Sequence, residues 1–197
     1  MCGSFVQDRK KPKMKKIIER TGPEQGSLLD LLTEDIRPTN LAIVLEWLDG
    51  QAKPRIMAWG FPKWDGQGVV FNARSETALD KTMFKQALLE RPIVVPVTGF
   101  YEWKAVPGKK NKDKYIFTLG DDELLYLAGI YSVFKDQAQP ERFTILTTFA
   151  NESMNNYHDR MPVILGEAKI DQWLAGVDRQ SFFNRQQCQV FARLVAA

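Results

Sequence analysis

The stretch PIVVPVTGFYEW, residues 92–103, is the reading on which the fold turns. It follows a helical pattern over Ala78 to Leu89, whose apolar face is Met83, Phe84, Ala87 and Leu88 and which Pro92 stops. From Pro92 to Trp103 the chain reads as one long strand. Val94, Pro96, Thr98, Phe100 and Glu102 then share a face and carry a carboxylate into a site. Other strand patterns surround it. They cover Leu41 to Leu48, turned at Asp49-Gly50, then Arg55 to Gly60, Gly68 to Asn72, Tyr115 to Leu119, Leu124 to Val133, Arg142 to Thr148, Pro162 to Leu165 and Val190 to Val195. Short helices are expected after Ser27 and over Glu167 to Leu174. Many strands with few helices, and no repeated βαβ spacing, imply an α+β domain built on an antiparallel or mixed sheet.

Composition sets the outer limits. The chain has 197 residues, 44% hydrophobic and 26% charged, which suits one domain with a sizeable core, residues 1–197. There is no apolar run long enough to cross a membrane and no leader-like segment at the start, so no membrane partner and a cytoplasmic setting are expected. Cys2 and Cys188 fit a reducing compartment better than a disulfide scaffold. With a single histidine they cannot complete a four-ligand zinc site, so no metal or cofactor is expected.

The net charge is +3, unevenly spread. Arg9, Lys10, Lys11, Lys13, Lys15 and Lys16 lie within eight residues, and residues 8–16 read as a basic, mobile segment. A second cluster is Lys109, Lys110, Lys112 and Lys114. Such clusters suit a polyanion, or are solvated loops.

The residues that carry chemistry begin at Met1-Cys2-Gly3. Methionine ahead of a small residue is normally trimmed, which leaves Cys2 with a free α-amine and a thiol two carbons apart. Such a 1,2-aminothiol condenses with an aldehyde and closes a thiazolidine ring. The α-amine, with pKa about 7.7–8.0, is far richer in free base at neutral pH than a lysine at about 10.4. Alone, Cys2 fits an aldehyde trap, an N-terminal amidase nucleophile or a residue placed by chance. His158, the only histidine, is either an acid–base group or a loop residue. Glu102, between aromatic residues, is either a desolvated proton carrier or an ordinary strand-end carboxylate. Asn72 and Arg74 share a face at strand spacing and offer an amide and a phosphate-matched fork, or form a strand-to-helix junction. Trp64, in a turn with Lys63, could stack on an unpaired base or anchor a loop.

In order along the chain stand M-C-G-S-F, W-G-F-P-K-W, N-A-R-S-E-T, G-F-Y-E-W-K, T-I-L-T-T and H-D-R-M-P-V-I-L. This set, from Cys2 to about Trp173, resembles the SRAP family, the SOS-response-associated peptidases or abasic-site processing proteins. The resemblance implies a single SRAP domain, possessing a sheet or barrel-like core with flanking helices. It implies DNA-repair chemistry in which Cys2 crosslinks to an abasic site in single-stranded DNA, with lyase-like and autopeptidase activity belonging to the same family pattern. By motif match, Cys2 forms the thiazolidine, Asn72 orients it, Glu102 assists sugar opening and His158 serves Schiff-base chemistry and reversal. Arg74, Arg160, Trp64 and Met161 are then the DNA contacts. A monomer acting near replication forks in a bacterial or phage cytosol completes the expectation. Asp35 stands where the family pattern has Asn, and the closing segment after Trp173 is short. Competing readings are a glutamine-amidotransferase-type amidohydrolase, disfavoured by the lack of an Asn-Gly pair, a noncatalytic single-strand-binding module, and a Cys2–His158 peptidase.

Overall fold

The strongest turn signal makes the first long hairpin. Asp49 and Gly50 both take positive φ, 52° and 76°, as a two-residue turn between twisted strands requires. The computed structural model describes residues 2–177, 179–183 and 188–195. Its elements run β1 (Phe5–Val6), α1 (Pro12–Ile18), α2 (Gly26–Leu29), β2 (Asp35–Ile36), β3 (Leu41–Leu48), β4 (Gln51–Trp59), β5 (Phe61–Pro62), β6 (Val69–Val70), β7 (Asn72–Arg74) and α3 (Thr82–Glu90). They continue β8 (Pro92–Val97), β9 (Gly99–Lys104), β10 (Asp113–Thr118), β11 (Leu125–Val133), β12 (Glu141–Phe149), β13 (Arg160–Pro162), β14 (Ile164–Leu165), α4 (Ile170–Leu174) and β15 (Phe191–Leu194). The class is α+β, with mixed sheets and short flanking helices. Residues Met1, Ala196 and Ala197, on which the expected trimming and the short closing segment bear, lie outside the described residues.

Two sheets carry the structure. In the larger, β12 pairs with β4 in parallel, and antiparallel ladders join β4 to β3, β3 to β8, β8 to β11 and β11 back to β12. The pairings return on themselves as a ring of strands, with β7, β13 and β14 on its margins. The smaller sheet runs β15-β10-β9-β1-β2, antiparallel throughout. Alternate residues of the ring strands face two different cores. Ile43, Leu45, Val94 and Leu146 pack with Met14, Phe84, Leu88 and Trp173 of the helices. Val44, Trp59, Val95, Val97 and Ile145 pack with Phe5, Phe100 and Phe117 of the smaller sheet, and with Cys2.

The segment 92–103 is not one strand. It breaks at Thr98 into β8, a ring strand, and β9, a strand of the smaller sheet. The Thr98 backbone N–H donates to the Val6 carbonyl (2.8 Å), and the Thr98 hydroxyl bonds the same carbonyl (3.1 Å) while accepting from the Asp8 N–H (3.3 Å). Gly99 follows because a Cβ there would sit 3.0 Å from the Ile116 side chain and 3.1 Å from the Phe117 carbonyl. The bend shifts side-chain parity by one. Val94 faces the helices, whereas Phe100 lies with Val95 and Val97 in the other core, and Glu102 follows Phe100. The shared face expected from Val94 through Glu102 is therefore replaced by two.

The basic run also differs from expectation. Residues 12–18 form α1, with Pro12 in its first turn, held down by buried Met14 and Ile17. That apolar pair, three apart, outweighs the charges around it. Lys11 pairs with Asp122 (3.3 Å), and Lys13 with Glu123 (2.7 Å) and Glu167 (3.4 Å). The helix expected from Ala78 begins only at Thr82, and the first leucine-rich helix begins at Gly26, so Ser27 lies inside it rather than capping it.

A buried amide ties β1 to the ring. Gln7, 2% exposed, donates from Nε2 to the carbonyls of Ile43 (2.7 Å) and Pro96 (2.9 Å), and its Oε1 accepts from the Ile43 N–H (2.9 Å). Replacing it by leucine strands three buried backbone groups, so Gln7→Leu should lower unfolding free energy by about 2–4 kcal/mol in urea titrations. A loss no larger than that of an exposed-site substitution, about 0.5 kcal/mol, would contradict this role.

Candidate active site

The first strand is held on both sides. β1 pairs on one side with β2, Phe5 opposite Ile36, and on the other with β9, Phe5 opposite Phe100. The Ser4 carbonyl accepts from the Tyr101 N–H (2.9 Å), and the Ser4 hydroxyl donates to the Ile36 carbonyl (3.0 Å). Cys2 is thereby fully buried. Asn72, from β7, donates from Nδ2 to the Cys2 carbonyl (2.9 Å), and its Oδ1 is buried without a hydrogen-bond partner among the described residues. The Cys2 thiol lies 3.7 Å from the Ser4 carbonyl. Burial pushes that thiol well above its ordinary range, and the negative charge of Glu102 adds to the effect. The same influence places the buried Glu102 carboxyl within electrostatic reach of the sulfur.

His158 comes from the loop between β12 and β13, whose hub is Asn151. The Asn151 Oδ1 accepts from the Ser153 N–H (3.1 Å), the Ser153 hydroxyl (2.7 Å) and the Met154 N–H (3.3 Å), while Nδ2 donates to the Cys188 carbonyl (2.7 Å). Tyr157 then meets Tyr115 and Phe117 edge-on, with centroids 4.8 and 5.1 Å away. Tyr115 stands opposite Glu102 in the β9–β10 ladder, so the loop carrying His158 rests on the face that carries Glu102. The His158 Nδ1 lies 2.9 Å from the Arg160 N–H, which requires a lone pair there, and 2.8 Å from an Asp159 oxygen, which favours a proton there. A ring that accepts the Arg160 N–H carries its proton on Nε2, whereas an imidazolium meets Asp159 through Nδ1–H, so both forms have a partner here.

The expected DNA contacts divide. Arg74 is exposed on β7, two residues beyond Asn72 on the same side. Trp64 is 88% exposed in the turn between β5 and β6. Arg160 is buried instead. It makes a two-pronged pair with Glu76, one prong at 2.9 Å, donates to the Thr147 carbonyl (2.8 Å) and stacks on Phe149. A phosphate there has to displace a carboxylate. Met161 is fully buried and accepts from the Asn151 N–H through sulfur (3.4 Å), so it offers DNA no surface. The motif spanning 158–165 thus spends two of its residues on structure, because β13 pairs inward against β12. Asp35, the departure from the family pattern, accepts from the Tyr101 hydroxyl (3.1 Å); burial, with the Asp35 charge, pushes that phenol up to about 12. Sequence reasoning missed Ser4, Glu76 and Asn151. Only Asn151 had a local signal, an Asx-type turn ahead of Ser153. Among the described residues no group of three or more His, Cys, Asp or Glu side chains could hold a metal ion.

The Glu76–Arg160 pair gives a pH test. Partial burial raises the Glu76 carboxyl, but the hydrogen bonds from Arg160 outweigh it and hold the pKa below the usual range. A carboxylate lowered on folding stabilises above its unfolded pKa of about 4.3, and that contribution is lost as pH falls through the folded value. Glu76→Gln should therefore be less stable than wild type at neutral pH, with the two denaturation midpoints converging on acidification below about pH 4. A gap that stays constant with pH would contradict the pairing.

Similar proteins share this arrangement of strands. The family model for the SOS response associated peptidase (SRAP) matches residues 1–192. "Abasic site processing protein YoqW" of Bacillus subtilis (strain 168) is 34% identical over 125 residues, 60% of this chain and 55% of that protein. The chain thus spans about half the length of this relative. "Abasic site processing protein YedK" of Escherichia coli (strain K12) is 26% identical over 198 residues, 98% of this chain and 86% of that protein. A crystal structure from Bacteroides thetaiotaomicron has the same fold, with TM-score 0.83 at 22% identity over 99% of this chain and 92% of that one. With the family model matching nearly the whole chain, and Cys2, Asn72 and Glu102 gathered at one point of the fold, the protein belongs to the SRAP family.

Proposed function

We propose that this protein captures the ring-opened deoxyribose of an abasic site in single-stranded DNA as a thiazolidine on Cys2, after Met1 has been removed. The observation that carries the reading is the placing of Cys2. It is fully buried, tethered through its carbonyl to Asn72 and set against Glu102, in a domain whose relatives are named abasic site processing proteins.

The raised thiol supports an order of events in which the amine acts first. A sulfur held protonated is a poor first nucleophile, whereas the freed α-amine, with a pKa of about 7.7–8.0, attacks readily at neutral pH. Glu102 takes the proton from the hemiacetal hydroxyl of the closed sugar and returns one to the ring oxygen, which opens the aldehyde. The amine adds to the aldehyde carbon, and the carbinolamine loses water to give the imine. His158 acts as its imidazolium, with Nδ1–H toward Asp159; it gives its Nε2 proton to the departing water and is left as neutral imidazole. The Cys2 sulfur then bonds the former carbonyl carbon, and its proton ends on the ring nitrogen. Amine and thiol belong to one residue, so closure has a high effective molarity and needs no free thiolate. Asn72 holds the Cys2 backbone still while its Oδ1 accepts from the new N–H. Arg74 and Trp64 line the approach of the strand, as phosphate and base contacts. The amidohydrolase reading fits less well, because it needs an activated thiolate, and burial with Glu102 acts against one.

The test uses protein whose intact mass shows Met1 lost, incubated with a single-stranded oligonucleotide carrying one abasic site. A heat-stable conjugate on a denaturing gel is expected. Cys2→Ala should abolish it while leaving an imine that borohydride traps, and Glu102→Gln should slow its formation about 100-fold or more. Trimmed wild-type protein that forms no conjugate would overturn the reading.

A further inference from the structure

On the opposite face of β12 from Cys2 lies a cavity of about 680 Å³, between the β5–β6 turn, α3 and the β11–β12 turn. Side chains of β12 alternate. Phe143 and Ile145 face the core that holds Cys2, while Arg142 points the other way and lines the cavity. Arg142 is only 7% exposed. Its Nε donates to the Gly60 carbonyl (2.6 Å), and it has no ion pair or further hydrogen bond among the described residues. Its terminal nitrogens are absent from the polar atoms sealed off without partners, so they open onto the cavity. Burial alone lowers its pKa, with no acidic neighbour acting on it. A cation taken out of water without a counter-charge is costly, and such a group facing a void of ligand size marks an anion site.

The remaining walls narrow the ligand. Trp64, 88% exposed, offers an indole face at the rim, and Met83 and Phe134 add apolar surface. Lys63 is a second cation at the mouth, and Asp136 is the one acidic side chain there. Gln86, Ser132 and Asp136 present donors and acceptors for the edge of a planar ring. The volume falls within the range of small-molecule sites, about 300–1,000 Å³.

We infer that this cavity is a nucleotide-binding site, in which Arg142 and Lys63 hold the phosphate and the base stacks on Trp64. The nucleotide is a free one, distinct from the strand that reaches Cys2. Arg142, which carries the inference, faces away from Cys2 across the sheet, and only Trp64 at the rim is shared with the strand path proposed above.

The test is calorimetric titration of the wild-type protein with deoxyguanosine monophosphate, and separately with inorganic phosphate. Saturable one-site binding is expected, with phosphate alone at least tenfold weaker. Arg142→Met should weaken nucleotide binding at least tenfold. Gln86→Glu, an exposed change that adds a negative charge to the wall and gives up only the surface Gln86–Glu90 hydrogen bond (3.1 Å), should do the same. Abasic-site crosslinking should be unchanged in Gln86→Glu, which separates this site from the Cys2 chemistry. Competition with an intact oligonucleotide identifies the source. Simultaneous binding is expected, whereas displacement of the mononucleotide would assign the cavity to the DNA strand and overturn the inference. No saturable binding at millimolar nucleotide, phosphate binding as tight as nucleotide, or affinity indifferent to both substitutions would overturn the inference.

Discussion

The crossing of one chain between two sheets at Thr98 is the constraint on which the site depends. Thr98 bonds the Val6 carbonyl through both its amide and its hydroxyl, and Gly99 stands opposite Val6 in the next ladder. One backbone position therefore fixes both the start of the chain and the crossing. Cys2 is held four residues before Val6, and Glu102 four residues beyond Thr98. Had the strand run straight, parity would have turned Glu102 toward the helices with Val94. The break turns it toward the sulfur. Gln7 adds to the same joint by clamping the next residue of the chain to both β3 and β8.

Local signals in the sequence were enough for elements and class, and fell short where partners were distant. The Asp49-Gly50 hairpin needs only its own backbone angles, so it was legible. The alternating strands and the α3 face with Phe84, Ala87 and Leu88 were legible for the same reason. The break at Thr98 was not. It depends on Ile116 and Phe117, which crowd Gly99 from a strand that begins fourteen residues later. Motif order named Cys2, Asn72 and Glu102, which the fold does bring together. It also named Arg160 and Met161, which the fold buries, because a motif names residues without saying which way they face. Arg160 turns to Glu76, 84 positions away, and no spacing rule connects them.

Burying a nucleophile conflicts with making it acidic, and here burial prevails. A site built for thiolate chemistry sets its sulfur beside a cation or a helix N-terminus. This one sets it beside a carboxylate, in a core of Phe5, Trp59 and Phe100. Such an environment suits chemistry in which sulfur acts second and within its own residue, because placement then matters more than ionisation. The aromatic packing around Trp59, whose ring lies 4.8 Å from Phe5 and 6.3 Å from Phe143, supplies that placement.

The cations lead to a related conclusion about where anions bind. Counting along the sequence drew attention to the lysine runs, yet Lys11 and Lys13 are engaged by Asp122, Glu123 and Glu167, and Lys109 by Asp113. Arg55 is held by Glu46 and Glu141, and Arg160 by Glu76. A net charge of +3 therefore says little about which groups remain available. Among the described residues, the arginines without an ion pair include exposed Arg74 beside Asn72 and buried Arg142 across the sheet. Solvent screens the first, so an anion there gains mainly position. The second is screened far less, so an anion reaching it gains more per contact. By that criterion an anion would gain more at the inferred site on the face turned away from Cys2 than at exposed Arg74.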